Sequence, residues 1–303
     1  MPLFVCSIVC VMPIVSNFFS RVGKSIAGAS NVANAIALAG LDFEVQLEPV
    51  FDSRGKQIAD SFNVARKDNG ESLGVNGARY TPIQTAQAFA YLDELAGHTQ
   101  LTFHRGGMLK GGRFFVSVEF EQLNFSGDMV SAFGVFLSSF DGTWANRMVS
   151  VFNRHACMNI CGYMLANKGD NNGLAAKHTE NCEVKLDALA SLIVSRQSRM
   201  EKQISNWQGA KFSTIEMEQL GNQLFPKETP QSVNARARLL SLFSDETLGQ
   251  FGQTKWDAFN AVTALETHEG KRRNTIRANA DENAFDALVS QRSLANRAAQ
   301  LLG

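Results

Sequence analysis

The residues best suited to chemistry crowd into one stretch, Phe103-His104-Arg105-Gly106-Gly107-Met108-Leu109-Lys110-Gly111-Gly112-Arg113-Phe114-Phe115. Arg105, Lys110 and Arg113 are cations of the kind that contact phosphate, and the glycines let a backbone come close to a ligand. Phe103 and Phe114 are the candidates for stacking on bases. Arg79 and Arg147 are expected to join the same face. A second basic group, Lys271-Arg272-Arg273 with Arg277, places four cations in seven residues. Such a patch could hold a nucleic-acid backbone, with steep weakening by salt. Glu266, Glu269, Asp281 and Glu282 flank it, so a self-paired, solvated loop is the competing reading.

His155, Cys157, Cys161, His178 and Cys182 form a third group. Cys157-x3-Cys161 and His178-x3-Cys182 each put two side chains on one helical face, and four such ligands would suit tetrahedral zinc. The spacing matches no common zinc finger, and buried cysteines also pack as small hydrophobes. No metal or other cofactor is therefore required. Asp141, His155 and His178 could be imagined as a hydrolytic cluster. No Gly-x-Ser-x-Gly, His-Glu-x-x-His or acidic metal motif accompanies them, and Asp141-Gly142 reads first as a tight turn. No catalytic residue is assigned, and a metal-assisted nucleic-acid enzyme stays as a minor alternative. Gly23-Lys24-Ser25 suggests a phosphate loop only superficially, because Phe18 stands where the earlier glycine is needed.

These groups need a scaffold. Phe43–Val50 alternates apolar and polar residues like a half-buried strand. Asp52-Ser53-Arg54-Gly55 and Asp68-Asn69-Gly70 are turn signals on either side of a second strand at Phe62–Arg66, and a third begins at Leu73. Thr85–Ala96 reads as a helix. Leu101–Arg105 should pair with Arg113–Phe120 through the glycine-rich turn, followed by strands at Met129–Leu137 and Trp144–Phe152. A helix is expected from Asn153 to Ala166. Residues 16–40 are small and polar and read as a flexible arm ending in a short helix, Val32–Ala39, with Gly40 as its stop. Beyond Gly173 the chain reads as helical, with segments at His178–Asn206, Thr214–Leu224, Ser232–Leu242, Lys255–Glu266 and Ala284–Leu302. The class is α+β: an antiparallel meander and hairpin sheet with one interposed helix, then a mostly helical C-terminal region. The division expected is an apolar segment and arm over 1–35, an α+β core over 36–185 and a helical region over 186–303.

Composition bounds the partners. The 303 residues are 45% hydrophobic and 19% charged, with zero net charge, so nucleic-acid binding must come from a local patch. Phe is used 22 times against 3 each of Tyr and Trp, which core packing explains for most positions. Five cysteines, an odd and sparse set, argue against a disulfide framework and for a reducing cytoplasm. Residues 1–15 are strongly apolar but interrupted by Pro13 and too short for a membrane-spanning helix. They read as a packing or oligomer-contact arm. An extension upstream of Met12 and a targeting segment are the alternatives, and no stable membrane insertion is expected.

Ordered landmarks along the chain resemble a known family. They are Ala39-Gly40-Leu41-Asp42-Phe43-Glu44-Val45, Leu73-Gly74-Val75, Tyr80-Thr81-Pro82-Ile83-Gln84, Gly106-Gly107 with Gly111-Gly112-Arg113, Ser139-Phe140-Asp141-Gly142-Thr143, Arg154-His155-Ala156-Cys157-Met158-Asn159 and Lys177-His178-Thr179. Trp256–Thr263 and Asn296–Leu302 extend the set. Together, over roughly residues 36–303, they resemble the phage/plasmid-like proteins of domain of unknown function 932. The resemblance implies a phage or mobile-element origin and no particular activity. Phe140 stands where that pattern has a His, which argues against a catalytic loop. The order of elements is also similar to phage single-strand annealing proteins of the lambda Beta, RecT and Erf types. The reading that follows is a phage-encoded, oligomeric protein in the cytoplasm of an infected bacterial host, binding single-stranded DNA for annealing or recombination. The alternative is a non-catalytic phage interaction or assembly protein that self-associates.

Overall fold

A computed structural model describes residues 21–98, 101–120, 122–125, 128–154, 175–176, 186–245, 251–269, 277–289 and 292–303. The expected class is what it shows: antiparallel sheets with helices interposed, then a helical C-terminal region. The larger sheet contains β1 (Lys24–Ser25), β5 (Thr102–Leu109), β6 (Arg113–Glu119), β8 (Asp128–Ser139), β9 (Asn146–Arg154) and β10 (Ala175–Ala176) in that spatial order, with β7 (Leu123–Phe125) also paired to β8. The smaller sheet is a meander of β2 (Val45–Phe51), β3 (Gln57–Arg66) and β4 (Ser72–Gly77).

Strand β6 reads Arg113-Phe114-Phe115-Val116-Ser117-Val118-Glu119, and its five middle residues are all buried. A run this apolar, with only Ser117 polar among its buried residues, suits a strand covered on both faces. On one face Phe114, Val116 and Val118 join a core that runs from Ile26 to Leu302. It receives α1 (Val32–Ala39), α2 (Thr85–Phe89) and α3 (Tyr91–His98). On the other face Phe115 meets Phe133, Val135, Val149 and Val151, and this second cluster is closed by Phe285, Leu288 and Val289 of α8 (Arg277–Val289).

The remaining helices extend the first core. They are α4 (Leu186–Gly209), α5 (Thr214–Leu224), α6 (Pro230–Phe243), α7 (Lys255–Glu269) and α9 (Leu294–Leu302). Their starts follow side-chain chemistry. Ser213 and Glu216 form a capping box on α5, and Thr229 caps α6 with Pro230 in its first turn, as orphan N–H groups require. Trp207 and Trp256 pack their rings on Phe259. Among the described residues no helix is long and apolar enough to cross a membrane.

Several expectations are corrected. Residues 21–31 are not a flexible arm: β1 pairs with β5, and Ile26 is fully buried and donates its N–H to the His104 carbonyl at 3.1 Å. The single helix expected over Ala284–Leu302 is two, because Ser293 starts α9 as its N-cap while Glu266 accepts the N–H groups of Leu294 and Ala295 at 2.7 and 3.0 Å. The helix expected over Asn153–Ala166 begins as strand, with Asn153 and Arg154 ending β9; the rest of it lies outside the described residues. Gly106 and Gly107 do not form the β5–β6 turn. They lie inside β5, where a side chain at Gly106 would crowd Ala39 at 3.1 Å and one at Gly107 the Gly23 backbone at 3.3 Å. Their bareness serves the approach of α1 and the 22–24 loop. The turn itself is Lys110-Gly111-Gly112.

At Gly112, φ is +70° and an added Cβ would overlap the Leu73 carbonyl oxygen, far inside van der Waals contact. Gly55 has φ +77° but nothing within 4 Å. Gly55→Ala should therefore cost only the left-handed backbone penalty, about 1 kcal/mol. Gly112→Ala should cost roughly 2–4 kcal/mol, because β4 must also move away. Urea unfolding of the two variants measures the difference.

Candidate nucleic-acid interface

Three chain segments far apart in sequence meet at one end of the large sheet. The β5–β6 turn accepts the Phe140 N–H at the Gly112 carbonyl, 2.8 Å. The Asn76 side-chain amide on β4 donates to the Phe140 carbonyl at 2.8 Å, and the Tyr80 hydroxyl donates to the Ser139 carbonyl at 2.9 Å. Burial, then the nearby Asp141 carboxylate, pushes the Tyr80 phenol above its ordinary range, so it stays a donor. Asp141 closes its own turn by accepting from the Thr143 N–H at 2.9 Å and its hydroxyl at 2.6 Å, as an Asx turn does. Phe140 is buried, stacked on Phe114 with ring centroids 4.6 Å apart. The residue that stands in place of a His is an apolar anchor for this junction.

Beside the junction opens a cleft of about 600 Å³ lined by Arg113, Asp141, Thr143, Trp144, Ala145, Arg147, Asp286 and Arg292. The guanidinium of Arg113 lies 5.1 Å from the centre of the Trp144 ring, a cation–π contact. Its Nε donates to the Lys110 carbonyl at 3.1 Å and its Nη1 to Asp286 Oδ1 at 2.9 Å. Arg292 reaches the other oxygen of the same carboxylate. Arg147 donates to the Val289 carbonyl at 3.2 Å. Helix α8 is held at its other end by Arg21, which makes two 2.8 Å bonds to Asp281. That pairing raises the Arg21 pKa further.

The basic residues expected at one site divide in three. Arg113 and Arg147 line the cleft. Lys110 and Arg79 are exposed, Lys110 on the β5–β6 turn and Arg79 immediately before Tyr80. Arg105 lies elsewhere and ties β5 to the segment before β1, its Nε donating to the Val22 carbonyl at 2.7 Å and its Nη2 to the Gly23 carbonyl at 2.6 Å. Its burial lowers its pKa. The cause is a β-bulge. Pairing shifts between Phe103 and Arg105, and the buried Ser117 hydroxyl fills the gap, accepting the Arg105 N–H at 3.1 Å and donating to the Arg105 carbonyl at 3.0 Å. Bulges re-aim side chains, and period-2 reading could not see this one. The two stacking candidates are also corrected. Phe103 is 5% exposed and Phe114 0%, so both rings are core and neither offers a face to a base. Lys271, Arg272 and Arg273 lie outside the described residues. So do His155, Cys157, Cys161, His178 and Cys182. Asp286 on α8 and Arg292 in the segment between α8 and α9 carry no local signal that pairs them. Phe285, Leu288 and Val289 do mark the buried face of α8, and Asp286 flanks it.

The family model described as a domain of unknown function (DUF932) matches residues 72–289, and the chain belongs to that family. The match runs from the first residue of β4 to the last of α8 and so takes in every wall of the cleft except Arg292. No curated protein and no solved structure matches the chain.

His104, the residue in the bulge, reports on this region through pH. Burial, then the neighbouring Arg105 charge, pushes its pKa down from 6.5 to about 4. The unfolded chain therefore binds the extra proton first, and stability falls as pH drops from about 6.5 towards 4, by up to about 3 kcal/mol. In His104→Gln, urea midpoints measured between pH 4 and 7 should lose this part of the slope. An unchanged slope would show that His104 is not its source.

Proposed function

We propose that this DUF932 protein binds single-stranded DNA, holding the strand by its phosphates at the end of the large sheet. The observation that carries the reading is the cleft, where Arg113, Arg147 and Arg292 line one opening together with Asp141 and Asp286. Arginine forks match phosphate oxygens in pairs, and their planar charge is weakly hydrated. Exposed Lys110 and Arg79, on the turns that meet at the junction, extend the positive track. A cleft of this size takes a flexible strand a nucleotide or so at a time, whereas a stiff duplex does not bend into it. With Phe103 and Phe114 in the core, the interaction rests on charge. Base edges held only through their backbone stay free to pair, which is the requirement for strand annealing in phage recombination.

Fluorescence anisotropy with a labelled single strand tests this. Three or four phosphate contacts predict affinity falling roughly 20- to 50-fold when salt rises from about 50 to 200 mM. The double change Arg79→Ala and Lys110→Ala should weaken binding and flatten the salt dependence, since each phosphate contact carries a slope of about 0.7. Absence of binding at the lower salt would sink the proposal.

A second reading, self-association, has its own observation. Of the eight large apolar side chains exposed among the described residues, four lie on the small sheet: Leu47 (41%), Phe51 (55%), Ile58 (43%) and Val75 (59%). An apolar side chain exposed on every strand of this sheet suits an assembly contact. Sedimentation of wild type and of the double change Phe51→Ser, Ile58→Ser should show an oligomer dissociating in the variant. A wild-type monomer at high concentration would remove this reading.

A further inference from the structure

The cleft contains its own anion. Asp286 Oδ1 accepts from Arg113 at 2.9 Å, and Oδ2 accepts from Arg292. One carboxylate thus bridges two guanidiniums that line the opening. We propose that Asp286 occupies the position of a phosphate group, and that a phosphorylated ligand binds by exchange with this carboxylate. The inference rests on the cleft being a phosphate site and adds how that site is regulated.

The exchange is mechanically simple. The backbone of α8 is fixed, because Phe285, Leu288 and Val289 are buried in the second core and Asp281 is clamped by Arg21. Asp286 itself is 20% exposed at its side chain and Arg292 67%. Rotation of a two-torsion side chain therefore opens the site without moving the helix. The incoming phosphate replaces one negative charge with another, so neither guanidinium is left facing its neighbour uncompensated. The site has two arrangements, self-paired and loaded, and the self-paired one lowers apparent affinity by the fraction of time it occupies the arginines.

The test measures two probes on full-length protein: the labelled single strand by anisotropy, and tripolyphosphate by calorimetry. Asp286→Asn keeps the shape and removes the charge. It should bind both probes roughly 2- to 5-fold more tightly than wild type, the range expected for releasing a partly exposed ion pair. Asp286→Ser, a second replacement at the same position, should behave alike. Glu218→Gln makes the same charge change on α5, a helix that packs against α6 and α9, and should bind as wild type does. Arg113→Gln should lose affinity for both probes. Thermal melts verify that each variant is folded. Tighter tripolyphosphate binding by Asp286→Asn with no strand binding by any form would uphold the exchange and reject the DNA reading. Strand binding that Asp286→Asn and Asp286→Ser leave unchanged would reject the exchange and keep the DNA reading. An equal gain in Glu218→Gln would reduce the effect to net charge and overturn the exchange, and no binding of either probe by any form would overturn both.

Discussion

Strand β6 is covered on both faces, and the rest of the architecture answers to that constraint. A strand with Phe114, Val116 and Val118 on one side and Phe115 on the other cannot leave either side in water: each buried aromatic or aliphatic side chain is worth roughly 1.5–3 kcal/mol. One face takes α1 to α3 and the C-terminal helices. The other takes α8, which supplies Phe285, Leu288 and Val289. Burial is thus what brings Asp286 to the end of the sheet, beside Arg113, from 173 residues along the chain.

Close approach is the second constraint. The junction of β4 with the β5–β6 and β8–β9 turns exists because three glycines have no side chain to obstruct it. A Cβ at Gly74 would lie 2.6 Å from the Asp141 Cα, one at Gly111 3.2 Å from an Asp141 carboxylate oxygen, and one at Gly112 would overlap the Leu73 carbonyl. With that contact made, Asn76 and Tyr80 saturate the carbonyls of Phe140 and Ser139. The paired segments then frame the cleft wall with little freedom, and a rigid frame is what presents arginine forks in a constant arrangement.

Electrostatics acts within this frame. Guanidiniums gathered at one opening repel one another unless an anion lies between them. Asp286 supplies that anion in the free protein, and Trp144 offers Arg113 an aromatic face. A net charge of zero over the chain is therefore no obstacle to polyanion binding. Acidic residues balance the basic ones locally, and what matters is which of those pairs a ligand can replace.

Much of the scaffold was legible from the residues alone. Alternation marked β2, and turn signals marked the second half of β3 and the start of β4. Glycine and asparagine-rich turns separated them, Gly40 ended α1, and the helical segments Thr214–Leu224 and Ser232–Leu242 gave α5 and most of α6. These are local effects, decided within a few residues by backbone sterics and by which N–H groups need partners. Parts of the site were legible too, since Arg113, Lys110 and Asp141 stand in glycine-marked turns. The rest depended on non-local contact. The bulge that puts Arg105 on the opposite face from Phe103 depends on the neighbouring strand, where Ser117 pairs with it. Phe103 and Phe114 are core because helices cover them. Asp286 reaches Arg113 because α8 is needed to bury Phe115, and Arg292, just beyond α8, reaches Asp286. Sequence by itself determined the class, most of the elements and the kinds of charge available. Tertiary packing alone decided which charges meet, because the hydrophobic face of an element sets where it docks and its polar flank is carried along.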